Sequence, residues 1–126
     1  MPPVWMDRED CIAIHEMMLS QHGGLAGVRD EGLLMSALAR PQHRFAYAEA
    51  SLTDLAASYA AGIVLNHPFL DGNKRTGFMV AATFLDVNGV AITASEESVV
   101  EHTIALASGE LSEAAYAAWL KENCGP

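Results

Sequence analysis

The chain has 126 residues, a length that suits one domain built on one hydrophobic core. It is 51% hydrophobic and 18% charged, a composition that excludes a disordered chain. The formal net charge is −9 with only seven Lys and Arg, so the basic surface of a nucleic-acid-binding protein is absent. We therefore expect no direct nucleic-acid partner.

Six segments have the apolar spacing of helices, and in chain order they are residues 8–21, 31–40, 54–66, 76–89, 96–108 and 113–124. The residues expected to cap them are Asp7, Asp30, Ser51 or Thr53, Thr93 with Glu96, and Ser112. Pro41 is predicted to stop the second helix, which leaves residues 41–51 as an ordered loop with buried aromatic side chains.

The fourth segment is apolar on nearly every side, which is typical of a central, buried helix. The segment "VAIT" after it is too short to establish a sheet, although it allows a small hairpin. The sequence thus predicts an all-α fold, a compact single domain over residues 1–126 around one central buried helix.

Targeting signals are missing from the sequence. No basic N-terminal segment precedes an apolar run, and no uncharged apolar stretch is long enough to span a bilayer. Cys11 and Cys124 are expected to be reduced thiols. These features predict a cytoplasmic protein without a membrane partner.

The stretch NHPFLDGNKRTGF, residues 66–78, lies between two apolar helices. His67 precedes a proline, and this position disfavours the helical conformation, so the third helix must end near Asn66. Phe69 is expected to be buried and to hold the loop to the core. The turn formers Asp71, Gly72 and Asn73 then lead into the fourth helix at about Lys74.

Lys74 and Arg75 fall in the first turn of that helix, where the positive end of the helix dipole makes cations unfavourable. Their presence makes sense if an anion binds there, because backbone N–H groups, a flexible Gly72 and two cations together form a phosphate site. Nearby, Asp71 can hold Mg²⁺ and His67 can take a proton from a hydroxyl. The alternative is a polar turn whose cations point into solvent.

The motif "HPFLDGNKRTG" resembles the active-site motif of the Doc (death-on-curing) branch of the Fic superfamily, and residues 67–75 match it at every position. The segments "GGLAGVRDEGLLMSALARPQ", "RFAYAE" and "FLDVNGV" are similar to Doc segments as well. The resemblance implies a helical toxin neutralised by a cognate antitoxin acting in trans. It also implies a kinase that uses ATP and Mg²⁺ to phosphorylate a threonine of elongation factor Tu.

By the same resemblance, His67 is the base and Asp71 the Mg²⁺ ligand and catalytic carboxylate. Lys74 and Arg75 are catalytic and, with Asn73, hold the phosphates. Phe69 and Gly72 belong to the same nucleotide-binding motif.

Typical Fic proteins transfer AMP, and their motif has glycine at the position of Lys74 and a second arginine at that of Phe78. A lysine there fills the space left for phosphates, and the lost arginine removes a clamp, so the triphosphate must bind differently. An AMP transferase and a degenerate binding module remain the alternatives. The inhibitory motif of many Fic proteins is also missing, because the nearest match, Thr93 to Glu97, is followed by Ser98.

Two further pairs of residues were candidates for a site. Cys11 and His15 have a spacing that can hold a metal, but no second pair completes a site, so we expect packing roles. Arg44 and Tyr47 are candidates for lining a nucleotide or partner groove.

Overall fold

The computed structural model describes residues 2–126 and confirms an all-α fold. Its helices are α1 (Arg8–His22), α2 (Glu31–Tyr47), α3 (Leu52–Asn66), α4 (Asn73–Val87), α5 (Glu96–Ser108) and α6 (Glu113–Glu122). Two short strands, β1 (Ala91–Ile92) and β2 (Cys124–Gly125), complete it. Among these helices none has both the length and the apolar character that a bilayer crossing requires.

Five of the helices have an N-cap residue whose side chain accepts the backbone N–H of the residue three positions later. These N-caps are Asp7, Asp30, Ser51, Ser95 and Ser112. The prediction of Thr93 as the α5 cap was wrong by two positions, because Ser95 accepts the N–H of Ser98 at 3.1 Å. Helix α4 differs from the others, since its N-cap is Gly72, which has no side chain to accept a backbone N–H.

The central helix is α3 and not the predicted α4. Eleven of the fifteen α3 residues are buried, whereas α4 buries seven of fifteen and leaves one side partly open. Glycines allow the close packing: a Cβ on Gly62 would lie 3.0 Å from Ala37 of α2, and one on Gly77 would lie 2.7 Å from Val64. Apolar composition therefore identified a buried region but assigned its centre to the wrong helix.

Helix α2 continues through Pro41, so the predicted stop and the loop over residues 41–51 were wrong. Pro41 cannot donate to the carbonyl of Ala37 four residues earlier, which normally breaks a helix. Here Pro41 is buried, and the Ala37 carbonyl packs closely against Gly62. Ion pairs from Arg40 and Arg44 to Glu113 of α6 hold the second half of α2.

The aromatic side chains of this segment are not buried as expected, because Phe45 is 40% and Tyr47 is 89% exposed. The segment after α4 does pair, but with the chain end and not as a hairpin. Ala91 and Ile92 of β1 lie opposite Gly125 and Cys124 of β2 in an antiparallel arrangement. This pairing places the connection between α4 and α5 against the end of α6.

Candidate active site

The loop between α3 and α4 starts with a strained residue. His67 has φ 51° and ψ 56° and is the only non-glycine residue with positive φ among residues 2–126. A side chain in this left-handed region costs about 1–2 kcal/mol. Helix α3 thus ends at Asn66, as predicted, and the turn leaves the His67 side chain exposed. Such strain is typical of functional positions and persists only where neighbours enforce it.

Arg29 is one of the neighbours that enforce this turn. Its Nε donates to the carbonyl of His67 at 2.7 Å, and its Nη2 donates to the carbonyl of Asn66 at 2.9 Å. The backbone N–H groups of Arg29 and Asp30 both donate to the carbonyl of Pro68. The glycine-rich segment before α2 is therefore hydrogen-bonded to both sides of His67.

Asn73 closes the loop from the other end. Its Oδ1 accepts the N–H of Phe69 and its Nδ2 donates to the carbonyl of Phe69, both at 3.0 Å. Its Nδ2 also lies 3.5 Å from His67 Nδ1, a separation too long to fix which ring nitrogen carries hydrogen. The side chain of Asn73 thus serves the loop, while its backbone N–H has no acceptor within residues 2–126.

Phe69 is buried, with 1% of its surface exposed, and holds the loop to the core as expected. Its ring stacks on the buried imidazole of His15 at a centroid distance of 3.8 Å and an interplanar angle of 8°. The Phe69 side chain therefore points into the core and shapes the loop from inside.

Asp71 is held on two sides. Its backbone carbonyl accepts from His15 Nε2 at 2.8 Å, while its exposed carboxylate accepts the N–H groups of Leu25 and Gly72 at 3.2 and 2.9 Å. Gly24 is needed beside it, because a Cβ there would lie 2.8 Å from Asp71 Oδ2. The carboxylate keeps further lone pairs open to solvent, since each oxygen has accepted only one hydrogen bond.

The N-terminus of α4 carries unused donors. Gly72 adopts φ 76° and Thr76 makes the first intrahelical bond back to Gly72, so the N–H groups of Asn73, Lys74 and Arg75 find no acceptor within residues 2–126. In that part of the chain the exposed side chains of Lys74 and Arg75 form no ion pair. Three backbone donors and two exposed cations thus lie together at this end of the helix.

A groove of about 970 Å³ starts at this helix end and runs along the open side of α4 towards α5. Its polar end holds Asp71, Lys74 and Arg75, and its remaining wall is mostly apolar. That wall includes Met18, Phe78, Met79, Ala82, Ile92 and Val99.

Other predicted candidates lie elsewhere. Arg44 pairs with Glu113 and Asp54, and neither Arg44 nor Tyr47 lines the groove, so their proposed role there was wrong. Cys11 and His15 are both buried, and residues 2–126 contain no group of three His, Cys, Asp or Glu side chains placed to hold a metal. Burial raises the pKa of the Cys11 thiol to about 12.

Comparison with known proteins shows the family of this chain. A family model described as "Fic/DOC family" matches residues 5–85, and this chain belongs to that family. It is 36% identical over 118 residues to "Protein kinase doc" of Escherichia phage P1, an alignment that covers 93% of each chain. It is 41% identical over 92 residues to "Toxin Doc" of Mycolicibacterium smegmatis, covering 71% of this chain and 68% of that relative.

Sequence reasoning missed two residues that shape the site, Arg29 and His15. A cation directly after a glycine-rich segment, in a chain with only seven cations, was a signal for Arg29. His15 was considered only together with Cys11 as a possible metal pair, and its contact with the loop left no signal in the sequence, because its partners lie more than fifty residues later in the chain.

Proposed function

We propose that this protein is a Doc-type toxin that acts as one domain in the cytoplasm. It transfers the γ-phosphate of ATP to a threonine hydroxyl of a translation factor, elongation factor Tu by resemblance, and so blocks translation. The observation that carries this proposal is the end of α4, where three backbone N–H groups, those of Asn73, Lys74 and Arg75, lie beside two exposed cations, and none of these groups has an acceptor or ion-pair partner within residues 2–126. The name of the phage relative, a protein kinase, supports the same activity.

The chemistry follows from the positions of the side chains. The threonine Oγ attacks the γ-phosphorus, the bond from that phosphorus to the bridging oxygen of ADP breaks, and ADP leaves. His67 takes the hydroxyl proton onto the unprotonated nitrogen of its exposed imidazole ring. Lys74 and Arg75 stabilise the charge on the phosphoryl oxygens, Arg75 through a bidentate contact and Lys74 as a point charge.

Asp71 suits Mg²⁺, because this ion is usually held by one or two carboxylates together with substrate phosphates. The exposed carboxylate, oriented by the N–H groups of Leu25 and Gly72, offers such a ligand beside the phosphate site. When bound, Mg²⁺ supplies neutralisation of phosphate charge.

The direction of the nucleotide is argued from Lys74 and Phe78. Lys74 occupies the place where a Fic glycine leaves room for phosphates, and Phe78 turns its half-buried ring towards Trp119, with centroids 6.5 Å apart. Phe78 offers no group that grips phosphate. We therefore place the γ-phosphate, and not the α-phosphate, next to His67.

Labelled ATP tests this function. The protein is incubated with Mg²⁺ and a bacterial lysate, with the label on the γ-phosphorus in one sample and on the α-phosphorus in the other. We expect γ label on a threonine, lost in His67→Ala, Asp71→Ala and Arg75→Ala but kept in Arg40→Ala, whose side chain pairs with Glu113 away from the groove. Label from the α position alone would show an AMP transferase instead.

The groove supports the proposed control by an antitoxin in trans. Its apolar wall along α4 and α5 fits the apolar face of a partner helix, and its polar end is the phosphate site itself. A partner in this groove would cover Lys74 and Arg75 and exclude the nucleotide. We expect Met79→Glu, on the apolar wall, to weaken inhibition by the antitoxin while γ transfer persists. If the antitoxin inhibits the variant and the wild-type protein equally, it binds outside this groove.

A further inference from the structure

We propose that His15, on α1, is a positioning residue that holds the carboxylate of Asp71 in place for metal binding beside the phosphate site. This inference deepens the proposed function and rests on it. The motif over residues 67–75 does not include His15, and nothing in its sequence context marks it as part of the site.

Two contacts join His15 to the loop. Its Nε2 donates to the Asp71 carbonyl at 2.8 Å, and its ring stacks face to face on Phe69 at 3.8 Å. Only 3% of His15 is exposed, so its ring lies inside the fold. Nε2 also lies against the turn at Gly72, 3.8 Å from the place where a Cβ would be.

The backbone carbonyl and the side-chain carboxylate of Asp71 have different hydrogen-bond partners. The carbonyl meets α1 through His15, and the carboxylate meets the N–H groups of Leu25 and Gly72. The peptide group is therefore held on one side so that the carboxylate can be oriented on the other. Without the Nε2 donor, the Asp71 carbonyl loses the one hydrogen bond that it accepts from residues 2–126, and this side of the loop is free to shift.

The remaining supports of the loop do not replace this contact. Arg29 bonds to the carbonyls of Asn66 and His67, and Asn73 bonds to both backbone groups of Phe69. These bonds fix the first half of the loop. Within residues 2–126, the hydrogen bond from His15 is the only one that the carbonyl of Asp71 accepts.

Three variants separate the contacts of His15. His15→Gln keeps an N–H donor at a similar reach and loses the stacking. His15→Phe keeps the stacking and loses the donor, and His15→Leu loses both contacts and serves if the phenylalanine variant does not fold. His102→Phe is the matched control, because His102 also stacks on an aromatic ring, Trp119, and bonds to a backbone carbonyl, that of Ser98.

The first measurement is amide hydrogen exchange by NMR at Leu25 and Gly72, the two donors to the Asp71 carboxylate. We expect exchange about tenfold faster in His15→Phe, with α3 amides unchanged, and near wild-type rates in His15→Gln and His102→Phe. This readout does not depend on catalysis. Unchanged exchange in both variants that lack the donor would overturn the proposal.

The second measurement is the Mg²⁺ concentration that gives half-maximal γ transfer. We expect it to rise about tenfold in His15→Phe and to return towards wild type in His15→Gln. If the wild-type protein transfers no γ label but the exchange result holds, the proposed function fails and the positioning role stands. If transfer is normal and its Mg²⁺ dependence is equal in all variants, the role of His15 at this site is wrong.

Discussion

Lys74 gives the sharpest test of the idea that the end of α4 is built for an anion. Its exposed side chain lies in the first turn of the helix and forms no ion pair within residues 2–126. A cation there opposes the helix dipole by about 0.3–1 kcal/mol. We therefore expect Lys74→Gln to abolish γ transfer and yet to stabilise the fold, raising Tm by about 1–5 °C for a chain of this size.

Lys121 provides the matched control. It lies in the last turn of α6, where a cation interacts favourably with the dipole. Lys121→Gln should therefore lower Tm by a similar amount and leave transfer unchanged. The pair removes the same charge from opposite ends of two helices, so general effects of net charge are the same in both variants.

Thermal unfolding is measured at low and high salt, in a buffer without phosphate. Because the Debye length falls from about 30 Å at 0.01 M to about 3 Å at 1 M, both shifts should shrink at high salt. Added ATP with Mg²⁺ should raise the Tm of the wild-type protein and have less effect on Lys74→Gln, through mass action. A Tm that falls in both variants, or a salt-independent gain in Lys74→Gln, would refute the reasoning.

Three other predictions concern the core. Gly77→Ala should lower the free energy of unfolding by about 1–3 kcal/mol, because the new methyl would lie 2.7 Å from a valine of α3. In the control Gly125→Ala the new methyl meets nothing within 4 Å, so the free energy of unfolding should be nearly unchanged. Urea unfolding measures both variants against the wild-type protein. A thiol reagent should modify one cysteine in the folded protein, Cys124, and reach the fully buried Cys11 only on unfolding; rapid modification of both would contradict this packing. Burial raises the pKa of Tyr116 to about 12 from 10.0. The neutral phenol therefore stabilises the fold below pH 10, and this contribution to the free energy of unfolding is lost as the pH rises from 10 to 12. Over this range the free energy of unfolding should fall less in Tyr116→Phe than in the wild-type protein, and an equal fall in both would contradict the prediction.

The sequence determined the local structure of this protein because local structure depends on contacts between near neighbours. Asp7, Asp30, Ser51 and Ser112 were predictable caps, since a cap bonds to an N–H only three residues away. The end of α3 at Asn66 followed from the proline two positions later. The residue types of the loop were also enough to indicate an anion site and the family.

Tertiary structure decided what depends on distant parts of the chain. Pro41 is tolerated in α2 because Glu113 and Gly62 lie beside that helix. Both residues are distant from Pro41 in the sequence, so local sequence rules cannot predict their contribution. Helix α3, and not α4, is the central helix, because other helices pack on both sides of α3 while a groove opens beside α4. The bond from His15 to Asp71 spans 56 residues, and only the packing of α1 against the loop brings a donor to that carbonyl.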